Sequence, residues 1–287
     1  MALLGIAALL ISMIGFSWAN RYWQLHEQAH RILSFIAIRT GVGVGVLSLL
    51  LMVSGVSWSS FLSHPDVWKG VALGSLGFLG LYLFVTSLNT LSIFISLLGQ
   101  ASSLAVGFGV GVFVAGESPS IAKWSAAVLL TGIQIALFFH HRKKQGRFSQ
   151  AFTWRPWLGG ICFGIYYPLA AQPIASIGPL PFLWITELTQ GVLSMTLAYF
   201  VEKISWSTLP SSFVKNAIRQ GAFAISAQFL YFLALLWTPI TTVVLLGSLS
   251  HVINYAFLEN SKAASRHKNA LVLILIGALG AFLTWLD

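Results

Sequence analysis

His140-His141-Arg142-Lys143-Lys144-Gln145-Gly146-Arg147, with Trp154-Arg155-Pro156 just beyond, is the densest run of charge in a 287-residue chain that is only 8% charged. Long, almost unbroken apolar sequence lies on either side. A solvated basic segment between two apolar halves reads as a connector, at 141–155, joining membrane-embedded units at 1–140 and 156–287. A nucleic-acid-binding patch would need a soluble domain to carry it, and neither flank supplies one.

Composition points the same way. Hydrophobic residues make up 57% of the chain and the mean hydropathy is +0.83, well above the ordinary globular mix. Too few charges remain to cover a soluble surface of this size. The net charge of +9 is therefore read as cytoplasmic loop charge in contact with anionic lipid rather than as a nucleic-acid signal. A single cysteine, Cys162, excludes an internal disulfide. The first apolar stretch lacks the basic start and small-residue cleavage site of a signal peptide and reads as a retained helix. A helix needs about 20 apolar residues to cross the hydrocarbon. Ten stretches qualify, near 2–19, 33–56, 68–87, 91–115, 121–140, 156–175, 180–201, 216–236, 239–258 and 268–286. The expected fold class is thus an all-α polytopic membrane protein, multi-pass in the inner membrane. Glycines crowd the second span (Gly41, Gly43, Gly45) and the fourth (Gly107, Gly109, Gly111), which suggests packing faces.

The two halves resemble each other at a nearly constant offset. Gly15-Phe16-Ser17-Trp18 matches Gly164-Ile165-Tyr166-Tyr167 and Leu81-Tyr82 matches Leu230-Tyr231, each 149 residues on. The run from Leu97 to Ser103 matches that from Leu245 to His251, 148 residues on. Five spans per half is an odd number, so the second copy must be inverted. Inverted repeats of this kind build secondary transporters with a midplane site between the halves. Of the 16 Lys and Arg, thirteen fall in the loops after the first, fifth, seventh and ninth spans. Lys69 and Lys123 fall on the other side, and Arg39 lies within a span. By the positive-inside rule the connector is cytoplasmic and both termini are outside.

Several short stretches resemble the drug/metabolite transporter superfamily, in particular its ten-helix EamA-type members. They are Phe35-Ile36-Ala37-Ile38-Arg39, the run from Ser92 to Gly116-Glu117, and Trp124 with Gly132; His30-Arg31-Ile32-Leu33 is similar to the RarD branch. The resemblance spans nearly the whole chain and implies a small-molecule transporter. Where the family often has a proline in its fourth helix, this chain has Ala101-Ser102-Ser103-Leu104, and Glu259 comes too early to match Glu117 at the repeat offset. The family commonly keeps both termini cytoplasmic, against the charge count here.

Arg39 and Glu187 are the acidic and basic residues well inside the spans, and they stand 148 positions apart. A charge at a helix centre costs about 2.5–3.5 kcal/mol on insertion scales, so each should meet a partner or a wet cavity. They are either a clamp for a polar solute, with Arg39 on a carboxylate and Glu187 on an ammonium or proton, or a structural ion pair. Arg39 could also snorkel to the near surface. Tyr82, Gln100, Tyr231 and His251 form the next candidate shell, with His251 a possible proton relay. Trp18 and Tyr167 are candidates for an aromatic lining. Trp58, Trp68, Trp154, Trp157, Trp206 and Trp285 read as interfacial anchors. Spans one to four and six to nine should enclose the cavity, with the uniformly apolar fifth and tenth outside. No enzymatic motif, metal site or cofactor-binding loop is present in the sequence. The expected partners are a small metabolite or drug, membrane lipid and a coupling proton, with no nucleic acid. The leading function is export of amino acids or similar small metabolites by alternating access. The alternative is a non-transporting scaffold or lipid- or peptide-binding partner with the same fold, whose central interface would be packed shut.

Overall fold

The structure, a computed structural model, describes residues 1–23, 30–91, 96, 99–144, 154–248 and 250. It is all-helical over these residues. In chain order the helices are α1 (Ala2–Asn20), α2 (Ile32–Val53), α3 (Asp66–Thr90), α4 (Ala101–Phe113), α5 (Ile121–Lys144), α6 (Arg155–Ile177), α7 (Pro179–Leu197), α8 (Ser211–Trp237) and α9 (Ile240–Gly247). A short helix, Trp58–Leu62, precedes α3, and a π-helical segment, Ala198–Glu202, continues α7.

Five of the helical stretches are long and apolar enough to cross a bilayer: Ala2–Trp23, Ile32–Val53, Asp66–Thr90, Arg155–Ile177 and Ser211–Trp237. In lipid a helix pairs its own backbone groups, which is why such sequences become helices and nothing else. Large apolar side chains face outward, among them Leu3, Leu49, Val53, Val128, Leu129 and Phe200, as a lipid-facing surface requires. Breaks come where the chemistry dictates. Gly178, at φ 89°, turns the chain directly from α6 into the Pro179 start of α7, and Pro239 follows Trp237 and Thr238. The charged stretch is not all loop. α5 runs on to Lys144, so the backbone of Arg142, Lys143 and Lys144 closes a helix. The expected tenth span, His251 and most of the connector lie outside the described residues.

α1 runs antiparallel to α8, with Gly5 against Thr238 and Gly15 against Ala227. α3 runs antiparallel to α6, with Gly80 against Cys162 and Phe163 and Gly77 against Tyr166. Moving the Gly15–Ala227 contact by the repeat offset brings positions 164 and 78 together, the same register as that second pair. α2 crosses α7, so that residues one repeat apart meet at the centre. One of the three glycines of the first stripe and two of the three of the second pack closely. A Cβ at Gly43, Gly107 or Gly111 would crowd a neighbouring helix, whereas Gly41 and Gly45 meet nothing within 4 Å.

Two carboxylates tie the halves together at opposite ends. Glu202 accepts hydrogen bonds from the amides of Leu33 (2.7 Å) and Ser34 (3.0 Å) and from the Ser34 hydroxyl, capping the start of α2. Glu117 accepts from the amides of Ile240 (2.5 Å) and Thr241 (2.9 Å) and from the Thr241 hydroxyl (2.7 Å), capping α9. Each places a negative charge on the exposed N–H groups and positive dipole of a helix start. One cap lies beyond the C-terminal end of α1 and the other near its N-terminus, about 28 Å apart by the length of that 19-residue helix.

Candidate functional site

Arg39 of α2 and Glu187 of α7 meet where their helices cross. Arg39 Nη2 donates to Glu187 Oε1 at 2.5 Å, and the residues are 3% and 0% exposed. Close helix approach makes room for the pair. A Cβ at Gly221 of α8 would stand 2.7 Å from the Arg39 carbonyl oxygen, and one at Gly43 would stand 3.1 Å from Glu187 Oε2. Arg39 Nε and Glu187 Oε2 have no hydrogen-bond partner among the described residues. The snorkelling geometry is therefore not the one adopted: the guanidinium is turned inward, onto its counter-ion.

Arg39 forms part of the wall of a central cavity of about 200 Å³, bounded by residues of α1–α4 and α6–α9 and by none of α5. That is below the roughly 300–1,000 Å³ of pockets for drug-sized ligands, so it suits a small solute. Gln100, Gln190, Gln220 and Gln228 bring amides to the walls. Gln228 Nε2 donates to Tyr166 Oη at 2.6 Å, Gln100 Nε2 donates to the Pro156 carbonyl at 2.9 Å, and Gln220 Oε1 is unpartnered. Tyr167 lies between Tyr166 (4.7 Å between ring centroids) and Tyr231 (4.5 Å), forming an aromatic side to the cavity. Pro168 also lines it. With no N–H, Pro168 leaves the carbonyl of Gly164, another wall residue, without its helical donor. Among the described residues the cavity thus offers one cation, amides that both donate and accept, and phenol rings. This is chemistry for orienting a small polar or anionic solute.

Of the residues expected from sequence, Arg39, Gln100, Tyr167 and Tyr231 line the cavity, and Glu187 stands behind Arg39. Tyr82 packs beside Phe78 while its neighbour Leu81 faces the cavity. Trp18 is 39% exposed, stacked on Phe223 with the Arg21 guanidinium 5.3 Å from its ring. Phe16 and Asn20 are the residues of α1 nearest it that line the cavity. Outside the cavity wall, Trp184 donates from Nε1 to Ser48 Oγ at 2.8 Å and packs on Trp58. Tyr166, Gln190, Gln220 and Gln228 were not singled out by sequence. For Gln220 and Gln228 the signal is there in α8, where Gln220, Ala224, Gln228 and Tyr231 recur at helical spacing on one face.

No known family model matches the chain, and no curated protein does. Its fold is similar to that of a solved crystal structure of a protein, at a TM-score of 0.70 and 17% identity over 98% of this chain and 97% of that one. At that identity the likeness concerns the fold alone.

Proposed function

We propose that the chain is an inner-membrane secondary transporter that exports amino acids or similar small metabolites, built as ten spans in two inverted repeats of the EamA type. The observation that carries this reading is the cavity. A space of about 200 Å³, with a buried arginine and four glutamines set into an otherwise largely apolar wall, lies between helices whose surroundings are apolar. A scaffold has no use for such a space and would gain stability by filling it with side chains. The shared register of the α1–α8 and α3–α6 contacts, and the meeting of Arg39 with Glu187 one repeat away, support the inverted repeat. Capping carboxylates at opposite ends suit alternating access, in which one end must loosen while the other holds.

The test is solute counterflow. Proteoliposomes preloaded with one amino acid at a time are expected to accumulate the labelled form above the level of empty liposomes. Arg39→Lys is expected to lose most of that exchange, because the charge stays but the planar fork that grips a carboxylate does not. Exchange at the empty-liposome level across amino acids and small carboxylates would refute the reading.

A further inference from the structure

Arg39 is the one Lys, Arg or His among the described residues of the cavity wall, and Glu187 already occupies it. Glu187 has no second support. Among the described residues its Oε1 accepts from Arg39 and its Oε2 accepts from nothing, and its exposure is zero. Among the described residues the neighbouring helices bring no other charge to the pair. α6 presents the phenols of Tyr166 and Tyr167, α8 presents Ile225, and α3 packs Gly74 on the backbone of Thr186.

We propose that the cavity takes a carboxylate-bearing solute together with one proton, and that the proton goes to Glu187. The proposal deepens the transport reading and rests on it. One guanidinium neutralises one carboxylate. A solute carboxylate arriving at Arg39 makes a second anion there, whether it displaces Glu187 or shares the fork with it. The solute lies in the cavity, but Glu187 has no exposed surface through which water could support its charge. Glu187 is therefore the group that must be neutralised. Before binding the site holds Arg39⁺ and Glu187⁻. After binding it holds Arg39⁺, the solute carboxylate and neutral Glu187, so charge balances with one proton taken from water. On release the proton leaves and the ion pair closes again. Solute and proton then cross together, so export through this site runs down the solute's own gradient and is not driven by proton entry.

The experiment uses the purified full-length protein in detergent with phenylacetate as probe. In weakly buffered solution a pH indicator counts protons taken up per phenylacetate bound, and Kd is measured from pH 6 to 8. The expected result is close to one proton per phenylacetate and a Kd that weakens about tenfold per unit rise in pH. Uncharged phenylacetamide should not compete, and Glu187→Gln should bind phenylacetate with no proton uptake and a flat Kd. Should Glu187→Gln fail to fold, the wild-type proton count and slope decide alone. Binding without proton uptake, equal binding of the amide, or no binding of phenylacetate overturns the proposal. Proton-linked binding without exchange in proteoliposomes upholds it and overturns the transport reading. Exchange with a flat pH dependence does the reverse.

Discussion

Replacing Arg39 by leucine separates the two charges of the central pair in a way that pH can read. The variant leaves Glu187 at zero exposure with no cation beside it. An unpaired carboxylate there takes a proton rather than stay charged. Starting from an ordinary carboxylate value of about 4.3, and at about 1.36 kcal/mol per pH unit, protonation costs about 3.7 kcal/mol at pH 7 and about 1 kcal/mol at pH 5. The proton is held in the fold and lost on unfolding at these pH values, so the variant's stability falls as pH rises. About 2.7 kcal/mol of the loss seen at pH 7 should therefore return at pH 5. Glu187→Leu behaves differently, because arginine cannot shed its charge. Its loss is expected at about 3–5 kcal/mol, the cost of breaking a buried pair from one side, and nearly the same at both pH values. The double leucine variant should lie within about 1 kcal/mol of wild type, since no charge remains to be stranded. Unfolding by SDS in detergent, followed by far-UV circular dichroism at pH 5 and 7, measures all three. An Arg39→Leu loss equal at both pH values, or a double variant no better than the worse single, would refute the argument. A double variant that is stable and also transports at the wild-type rate would leave the pair purely structural.

Gly221→Val should cost about 1–3 kcal/mol in the same assay, because its Cβ would meet the Arg39 carbonyl oxygen, which is backbone and cannot step aside. Gly41→Ala, with nothing within 4 Å, is the matched control and should be neutral or slightly stabilising. Glu202→Gln should lower stability by about 1–3 kcal/mol, since a neutral amide replaces a carboxylate serving two amides and a hydroxyl at the start of α2. Its thermal midpoint relative to wild type measures this. For orientation, a reporter active only in the cytoplasm should give signal when fused after Gln145 and none after Asp287. The opposite pattern would mean that the loop charges do not set the topology.

The apolar runs specified most of the helices on their own, because a backbone in lipid has few other ways to pair its groups. The second span, expected at 33–56, is found at Ile32–Val53, and the eighth, expected at 216–236, at Ser211–Trp237. Arg39 and Glu187 were also legible, since charge inside an apolar run is conspicuous and their separation matches the repeat. Sequence left open whether they hold a solute or each other, and contact at 2.5 Å required the crossing of α2 and α7. What sequence could not supply was the rotation of each helix about its axis. In a soluble protein the polar face of a helix marks the outside, but a span bathed in lipid is apolar outside and largely apolar inside. Trp18 and Tyr82 therefore seemed as well placed as Phe16, Asn20 and Leu81, which are the residues that line the cavity. The glutamine stripe of α8 held the missing information, because amides are costly against lipid and their spacing shows which side is inward. Which amide meets which phenol, as Gln228 meets Tyr166, was decided only when α6 and α8 packed together.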